Sequence, residues 1–417
     1  MSNTNSSTNQ PRLLSFTLDG WSVLGGRVTV SLHDGVAVLV GRNGSGKSAI
    51  IEGFEAISLC AIVKSKQVPY NSGDSIPKIL EIQVLTPTDR LIAYKFELVQ
   101  TTKLDKNLNV DTFTSDNLEG ENLLWNEHCQ YTDGDNEILW TTTHGLTSYK
   151  KVDGSTDTFL GNMYSARQVY YVNNLSLNIP NEIYWINTVL TGIRLINKTF
   201  VRQTSGRRES LLKVSPREVI SINGISGING LLELADSLAL RIRRMESREV
   251  DELKSICQRI GIGEITVQKF ILSEPLNEKV ESEDTEYILS VQLDRVNIGL
   301  LSDGTLKVLA ILVEIITLNP SSTIIIEEPE AQIHPAMLSK LLNEIETYTY
   351  GQNLILSTHS PQVVSWASQE KINLVHRKDG KTFVRKLGEA QIHNVIEYLS
   401  EEGDLGEWIY SGILDDE

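Results

Sequence analysis

The stretch VAVLVGRNGSGKSAI, residues 36–50, decides the fold class of this chain. Its first five residues are an uninterrupted apolar run, which predicts a strand buried on both faces, and its last residues open an apolar helix. Between strand and helix, the pattern GxxxxGK[ST] is matched by Gly41, Gly46, Lys47 and Ser48. A strand, a glycine-rich loop and a helix in this order are the context that a phosphate-binding loop requires. The stretch therefore predicts an α/β fold with a nucleoside triphosphate site.

Each part of this loop has a task in phosphate binding. Glycines let successive backbone N–H groups curl around phosphate oxygens, and the helix N-terminus adds its dipole. We expect Lys47 to contact the β- and γ-phosphates as a point charge and the Ser48 hydroxyl to ligate Mg²⁺. The alternative is a glycine-rich turn that contains Lys-Ser by chance. We predict ATP and Mg²⁺ as the cofactors, with the phosphates bound by Gly41, Arg42, Asn43, Gly44, Ser45, Gly46, Lys47 and Ser48.

A second strand ends in carboxylates. In SSTIIIEEPEAQIHP, residues 321–335, the apolar run is followed by Glu327, Glu328 and Glu330. Ligands of open parallel sheets sit at the carboxyl ends of strands. We expect Glu327 to contact Mg²⁺, directly or through its water shell, and Glu328 to orient and deprotonate the attacking water, with Glu330 as the next candidate base. The alternative is a solvated acidic turn before a helix that starts at Pro335.

A third strand, NLILSTHSP at residues 353–361, ends in His359. An imidazole can donate a hydrogen bond to a phosphate oxygen, so His359 is a candidate catalytic contact to the γ-phosphate. A histidine directly after a buried strand is also a common turn residue. We favour the functional interpretation because this strand follows the acidic strand by one helix.

The stretch LLSDGT, residues 300–305, precedes the apolar helical run LKVLAILVEIITL. Ser and Asp are favoured at helix N-caps, and a glycine allows a close backbone approach. Taken alone, this is ordinary helix-start chemistry.

Together with the three nucleotide elements, Leu301, Ser302, Asp303, Gly304 and Thr305 resemble the signature loop of ATP-binding-cassette proteins. The LSGGQ-type loop is matched at Leu301, Ser302 and Gly304, whereas Asp303 and Thr305 depart from its commonest form. The resemblance implies that Ser302 and the Gly304 backbone bind the γ-phosphate of ATP held by another subunit, in a head-to-tail dimer. Asp303 would repel a phosphate unless it points away, for example to cap its own helix.

More narrowly, the motifs GRNGSGKS, LLSDGTLKVLAIL, IIIEEPEAQIHP and LILSTHSPQVV are similar to those of the RecF/SMC-like branch, which includes OLD-family and related AAA-type ATPases. Glu327 stands where an Asp is more usual. The resemblance implies an ABC-type P-loop NTPase core, a mixed sheet flanked by helices, with a large α+β insertion between phosphate loop and signature. It also implies an ATPase that controls a separately encoded effector, a nuclease, in anti-phage defence.

Charge and composition narrow the class of protein. The formal net charge of −16 argues against a surface coated in nucleic acid, though not against one basic groove. Three separated cysteines argue against a disulfide framework or a zinc site. The polar N-terminus does not resemble a secretory signal, and no apolar stretch approaches the length of a membrane span. We expect a cytoplasmic protein without a membrane partner.

The order of motifs predicts five segments. They are a disordered N-terminus (1–11), the N-terminal part of the ATPase core (12–65), a β-rich arm and helical insertion (66–286), the C-terminal part of the core (287–385) and a helical tail that could dock a partner (386–417). Helical periodicity covers residues 178–202 and 229–262, and residues 101–160 show only short strand-like pieces.

Two other functions remain open. A RecF-type repair ATPase would bind DNA itself, and the basic clusters Arg241, Arg243, Arg244, Arg248 and Lys198, Arg202, Arg207, Arg208 could line a groove. The simpler interpretation pairs the first cluster with nearby Glu and Asp residues of a solvated helix. The third candidate function is that of a transporter cassette subunit. The lid glutamine of ATP-binding-cassette proteins cannot be assigned, since Gln83, Gln100 and Gln168 are all candidates and none stands out.

Overall fold

A computed structural model of the chain describes residues 10–62, 76–100, 123–134, 136–143, 146–151, 154–160, 181–196, 209–214, 219–221, 234–272, 286–318, 322–388 and 391. The chain divides into two compact units. The first unit comprises Met1–Leu195, Pro320–Ile325 and Gly351–Glu417, and the second comprises Ile196–Asn319 and Ile326–Tyr350.

The strands, in chain order, are β1 (Arg12–Asp19), β2 (Val28–Ser31), β3 (Val36–Val40), β4 (Ile79–Leu85), β5 (Leu91–Gln100), β6 (Leu123–Tyr131), β7 (Ile138–Thr143), β8 (Leu146–Lys150), β9 (Thr156–Leu160), β10 (Ile193–Ile196), β11 (Leu211–Val214), β12 (Val219–Ser221), β13 (Ile265–Ile271), β14 (Tyr287–Leu293), β15 (Val296–Asn297), β16 (Thr323–Glu327), β17 (Asn353–Thr358), β18 (Ile372–Lys378) and β19 (Lys381–Lys386).

The α-helices are α1 (Lys47–Ile62), α2 (Asn181–Thr191), α3 (Leu234–Arg244), α4 (Ser247–Ile260), α5 (Asp303–Ile316), α6 (Pro335–Tyr348) and α7 (Pro361–Trp366). Within the described ranges, two short 3₁₀ helices cover Ile298–Leu300 and Gln369–Lys371. Of these helices, none is long and apolar enough to cross a lipid bilayer.

A six-stranded mixed sheet carries the nucleotide motifs of the first unit, in the order β10-β16-β17-β3-β18-β19. Strand β3 pairs in parallel with β17 on one side and β18 on the other, while β18 and β19 form an antiparallel hairpin. All four residues Ala37 to Val40 are fully buried, which explains why the strand is an unbroken apolar run. The predicted α/β fold class with a mixed sheet flanked by helices is confirmed.

An eight-stranded antiparallel sheet forms the other layer of this unit, in the order β2-β1-β4-β5-β6-β7-β8-β9. The predicted hairpin at residues 78–100 is confirmed as β4 and β5. The prediction of only short pieces in residues 101–160 was wrong for the described part, since β6 to β9 continue the sheet as a meander. Polar residues interrupt the hydrophobic pattern of these strands, as with Asn126 to His128 in β6 and Thr141 to Thr143 in β7, although β-branched Thr suits a pleated sheet.

Helix α1 covers the first unit's main hydrophobic core. The rings of Phe16 on β1 and Phe54 on α1 stack with centroids 4.1 Å apart, and both side chains are buried. A Cβ at Gly53 would lie 2.8 Å from the Trp21 ring, so the glycine lets the helix approach this tryptophan closely. The helix that follows the phosphate loop is therefore anchored near its middle by aromatic packing.

The second unit combines a small antiparallel sheet with four helices. Its strand order is β12-β11-β14-β13, and β15 pairs with β14. The periodic stretch 229–262 predicts one long helix, but the structure has two, α3 and α4, in its described part. The break occurs at Glu246, whose side chain accepts from the backbone of Glu249 and whose own N–H donates to the Glu249 carboxylate. Gly261 ends α4 in the left-handed conformation, at φ 87°, as a predicted stop signal.

The predicted helix at 178–202 is also shorter in the structure. Helix α2 ends at Thr191 and the chain continues as strand β10, while residues 197–202 lie outside the described ranges. The apolar run of β10 is compatible with either element, and the Thr191–Gly192 pair supplies the break.

A buried asparagine organises the segment that leads to the signature residues. The Asn297 side chain accepts from the backbone N–H groups of Ser210 at 2.7 Å and Gly299 at 2.9 Å. Its amide nitrogen donates to the Ser210 carbonyl at 3.0 Å and to the Ser290 hydroxyl at 3.1 Å. Both donors and both acceptor positions of this amide are thereby used, and the hydroxyl of Ser210 donates in turn to buried Asp236. These bonds join β14, helix α3 and the 3₁₀ turn before Leu301.

Asn297→Ala should lower the free energy of unfolding by about 3 kcal/mol, because it leaves several buried backbone and hydroxyl groups without partners. Asn343→Ala, at an exposed position of α6, is the matched control and should change stability by less than about 0.5 kcal/mol. Urea titrations followed by far-ultraviolet circular dichroism compare the two variants. Equal midpoints for both would show that the Asn297 bonds contribute nothing net.

Candidate functional site

The phosphate loop connects β3 to α1 in the first unit, as the sequence predicts. Gly44 and Gly46 have positive φ angles of 80° and 108°, which other residues rarely adopt. A Cβ at Gly41 would lie 2.2 Å from the carbonyl oxygen of Val375 on β18. A Cβ at Gly46 would lie 2.6 Å from the hydroxyl oxygen of Thr382 on β19. Three glycines of the motif are therefore required by the local backbone or by its neighbours.

Lys47 is the first residue of α1 and is 6% exposed. Its ammonium group donates to the carbonyl oxygens of Gly41 at 2.5 Å and Arg42 at 2.9 Å. The lysine thus bridges the two ends of its own loop while its charge stays within the loop. Arg42 and Ser48 are partly exposed, whereas Asn43 and Gly44 are exposed. The first-turn N–H groups of a helix have no intrahelical partners, so this loop presents a site for an anion.

The C-terminal hairpin contributes residues that the motif search missed. Thr382 is buried against Gly46, and its hydroxyl has no hydrogen-bond partner within the described ranges. The buried Ser45 hydroxyl also lacks one there. Val375 and Thr382 lie more than 300 residues after the loop, so only the pairing of β18 with β3 brings them to it.

His359 lies at the same end of the first unit's sheet as the phosphate loop. Thr358 pairs with Val40 in the parallel β17–β3 register, so His359 and Gly41 are the next residues of adjacent strands. His359 is exposed, and Ser360 behind it caps α7 by accepting from Gln362 N–H at 3.3 Å. The structure therefore brings His359 and the phosphate loop together.

The acidic strand end has an unusual backbone in the second unit. Glu327 is 1% exposed, and its Oε1 has no hydrogen-bond partner among the residues the structure describes. Glu328 has a φ of +46° and Gln332 a φ of +64°, both in the left-handed region that costs a non-glycine residue free energy. Between them, the backbone N–H of Ala331 donates to the Glu328 carbonyl at 2.9 Å. A tight turn therefore presents Glu328 next to a buried Glu327.

Lys307, on α5, reaches this turn from inside. It is 2% exposed, and its ammonium group donates to the Glu328 carbonyl at 2.5 Å, with the Glu327 carbonyl at 3.4 Å. Burial lowers the pKa of this lysine. The negative charges of Glu330, Glu328 and Glu327, in that order, oppose the shift. The sequence carried one signal of this role, a single lysine inside the otherwise apolar run 306–313.

The signature residues form the start of α5. Ser302 is the N-cap, since its hydroxyl oxygen accepts from the Thr305 N–H at 3.1 Å and lies 2.7 Å from the Thr305 hydroxyl. Asp303 is therefore the first helical residue rather than the cap, and its charge complements the helix dipole. Ser302 is exposed, Leu301, Asp303 and Thr305 are partly exposed, and Gly304 is buried.

Gly304 has a packing reason to be glycine. A Cβ at this position would lie 2.0 Å from the carbonyl oxygen of Gln332, the second left-handed residue of the acidic turn. A backbone carbonyl cannot move aside as a flexible side chain would. The signature glycine and the acidic turn are thus in direct contact within the second unit.

The remaining candidates are the two basic clusters, the three candidate lid glutamines and the C-terminal tail, and the structure describes only some of them. Arg241 forms an ion pair with Glu314 on α5, and the Arg243 guanidinium lies 5.4 Å from the centre of the Tyr287 ring. Gln83 is exposed on β4 and accepts from the Ser15 hydroxyl at 3.3 Å. The second basic cluster, Gln168 and residues 392–417 of the tail fall outside the described ranges, as do details of the Gln100 side chain.

Comparison with known proteins gives one family and several solved structures. Residues 229–365 match the family model described as "AAA domain, putative AbiEii toxin, Type IV TA system". This range holds the signature, the acidic turn and His359, and it supports an ATPase of AAA type at the family level. A search of curated proteins gave no significant match.

Three SMC heads are similar to this chain at low identity. An SMC head bound to the C-winged helix domain of ScpA is 14% identical, with 91% of this chain and 99% of that chain covered and a TM-score of 0.44. A Pyrococcus furiosus head with an extended coiled coil, bound to the C-terminal domain of ScpA, is 13% identical over 94% and 100%, at 0.40. The Thermotoga maritima SMC head domain is 12% identical over 90% and 99%, at 0.37.

Gly304→Ala should destabilise the protein by about 1–3 kcal/mol, because the added Cβ overlaps the Gln332 carbonyl and forces the two segments apart. Alanine is otherwise the better helix former, so an unobstructed site would gain stability instead. Gly26→Ala is the matched control, since no atom lies within 4 Å of its Cβ position. Urea titrations of both variants against the parent protein measure the difference. A stabilised Gly304→Ala variant would contradict the contact.

Proposed function

We propose that this chain is a Mg²⁺-dependent ATPase that dimerises head-to-tail around ATP and controls a separately encoded effector, a nuclease, in anti-phage defence. The observation that carries the proposal is the phosphate loop, with its left-handed glycines, buried Lys47 and immediate continuation into a helix. The AAA-domain family that matches residues 229–365 supports the ATPase part of the proposal.

Each residue of the proposed site has a defined task. Lys47 would exchange its two loop carbonyls for the β- and γ-phosphate oxygens, which carry full negative charge and bind an ammonium more strongly. His359, beside Gly41 in the sheet, would donate to the γ-phosphate. Glu328 would accept the proton of the attacking water as general base.

The residues present fit a magnesium ion. Glu327 has a buried carboxylate oxygen without a partner in the described chain, and such an oxygen is costly unless a cation or a donor satisfies it. The Glu327 carboxylate and the Ser48 hydroxyl each supply an oxygen of the kind that Mg²⁺ prefers, so both are candidate ligands. Mg²⁺ bound to ATP neutralises phosphate charge and favours transfer of the γ-phosphoryl group.

The signature residues would act on the ATP of a second copy of this chain. Ser302 is exposed at the N-terminus of α5, where a hydroxyl and backbone N–H groups can receive an anion. The effector part of the proposal is tested by ATP-dependent co-purification with the product of the neighbouring reading frame. Recovery of the same amount of that product without ATP would contradict nucleotide control.

Lys47→Ala should weaken ATP binding by about 100-fold, because the phosphates lose their main counter-charge. Glu328→Gln should instead retain ATP affinity and lose hydrolysis, since an amide keeps the shape of the side chain but cannot accept a proton. Binding of a fluorescent ATP analogue and release of inorganic phosphate measure the two effects. Lys95→Ala, at a partly exposed lysine of β5 that pairs with Glu97, is the control and should match the parent protein in both assays. Hydrolysis by Glu328→Gln at the parent rate would transfer the base role to another residue, with Glu330 the next candidate.

Ser302→Arg should leave ATP binding to the isolated chain intact and abolish hydrolysis and ATP-dependent dimerisation, because the large side chain fills the space of a γ-phosphate. Mixing it with Lys47→Ala chains should restore activity, since both defects fall in one site of the heterodimer and the other site is intact. Ser302→Ala removes the hydroxyl without filling the space of the phosphate, so it should cost about 1 kcal/mol of stability and impair hydrolysis and dimerisation less than Ser302→Arg does. Analytical ultracentrifugation and phosphate release measure these outcomes. A mixture that forms heterodimers without recovering hydrolysis would refute the shared site.

A further inference from the structure

One buried cation remains without a task in the proposed reaction. Lys307 lies on α5, five residues after Ser302, and 2% of its surface is exposed. Its neighbours along the helix, from Leu306 to Val313, are apolar and buried. Lysine is among the residues that are almost never fully buried unless paired. A buried lysine at this position therefore needs hydrogen-bond acceptors for its ammonium group, and a hydrophobic side chain could not bond such acceptors.

The partners are two consecutive backbone carbonyls. The ammonium group donates to Glu328 O at 2.5 Å, and Glu327 O lies 3.4 Å away. These carbonyls belong to the proposed metal ligand and the proposed general base. The Glu327 carbonyl lies in the peptide plane before Glu328 and the Glu328 carbonyl in the plane after it. Holding both oxygens fixes these two planes, which together set the direction in which the Glu328 side chain leaves the backbone.

The backbone at Glu328 needs such support. Its φ of +46° is a conformation that glycine adopts freely and glutamate does not, so the turn persists only where its surroundings determine it. One bond comes from within the turn, from the Ala331 N–H at 2.9 Å. Lys307 supplies a second, charge-assisted bond to the same oxygen from another element.

A second contact of α5 acts on the same turn. The Gly304 backbone packs against the Gln332 carbonyl so closely that a Cβ would lie 2.0 Å from it. Gln332 is the other left-handed residue of the turn. The first turns of α5 thus contact both left-handed residues. Gly304 contacts Gln332, whereas Lys307 contacts Glu328, the residue proposed as base.

We infer that Lys307 is a positioning residue for ATP hydrolysis, which holds the Glu327–Glu328 backbone so that the Glu328 carboxylate meets the attacking water. The inference rests on the proposed function. It differs from a purely structural role because it requires loss of turnover in a protein that still folds and still binds ATP.

The test compares Lys307→Met with the parent protein and with Lys340→Met. Methionine keeps the length and apolar stem of the side chain and removes the donor. Lys340 also donates to a backbone carbonyl of the second unit, that of Ile260 at 3.0 Å, so its variant controls for the loss of one lysine–carbonyl bond. ATP affinity, kcat and KM for ATP, and the urea unfolding midpoint are measured for all three proteins.

Lys307→Met should lower kcat by about 10- to 100-fold with KM and ATP affinity within about 2-fold of the parent, because a small displacement of a catalytic group has effects of this size. Lys340→Met should leave kcat unchanged. An unchanged kcat in folded Lys307→Met would overturn the inference, as would a loss of ATP affinity equal to the loss of kcat.

Two further results separate the possible failures. If the parent protein itself does not hydrolyse ATP, the proposed function fails before this inference is reached. If Lys307→Met does not fold, Lys307→Leu replaces it, since leucine suits a buried helix position and has no donor. A reduced kcat at parental ATP affinity in Lys307→Leu supports the positioning role, and a parental kcat overturns it.

Discussion

The pairing of β3 between β17 and β18 is the interaction on which the first unit depends. Val40 pairs with Thr358 on one side and Leu374 on the other, so the chain leaves the sheet at Gly41 with neighbours already fixed on both sides. One neighbour, the Val375 carbonyl, leaves no room for a side chain at Gly41. The hairpin partner β19 brings Thr382 against Gly46. The shape of the phosphate loop is therefore enforced by the sheet edge as well as by its own glycines.

In the second unit, two charged side chains, Lys307 and Glu327, are buried at the acidic strand end. Lys307 and Glu327 are each at most 2% exposed, and their burial would be costly if either charge were isolated. The ammonium bonds the carbonyl oxygens rather than the carboxylates, which keeps the Glu327 Oε1 without a partner in the described residues. That oxygen is the one that we propose as a ligand of Mg²⁺.

Ser302 and Gly304 each have a structural role in the fold in addition to the role in ATP binding that we propose, and one role does not exclude the other. Ser302 caps α5 and is exposed at its N-terminus, so its hydroxyl can serve the helix in one state and an anion in another. Gly304 is required by the Gln332 carbonyl whether or not its N–H meets a phosphate.

The sequence alone determined the local elements that carry strong, short-range patterns. The five apolar residues of β3, the GxxxxGKS spacing, the Ser–Asp–Gly helix start and the Glu327–Glu328 strand end are all visible in stretches of fewer than twenty residues. Weakly patterned segments were predicted as short strand-like pieces, as with β6 to β9, or as one helix, as with α3 and α4. Only the tertiary structure decided which residues support the motifs. Three contacts illustrate this: Thr382 lies against Gly46, Gln332 lies against Gly304, and Lys307 donates to the Glu328 carbonyl. In each of them the two residues are well separated in the chain. Sequence periodicity reports which face of an element is buried, but it carries no information on which partner fills that face. Those partners follow from strand order and helix packing, which long-range burial selects.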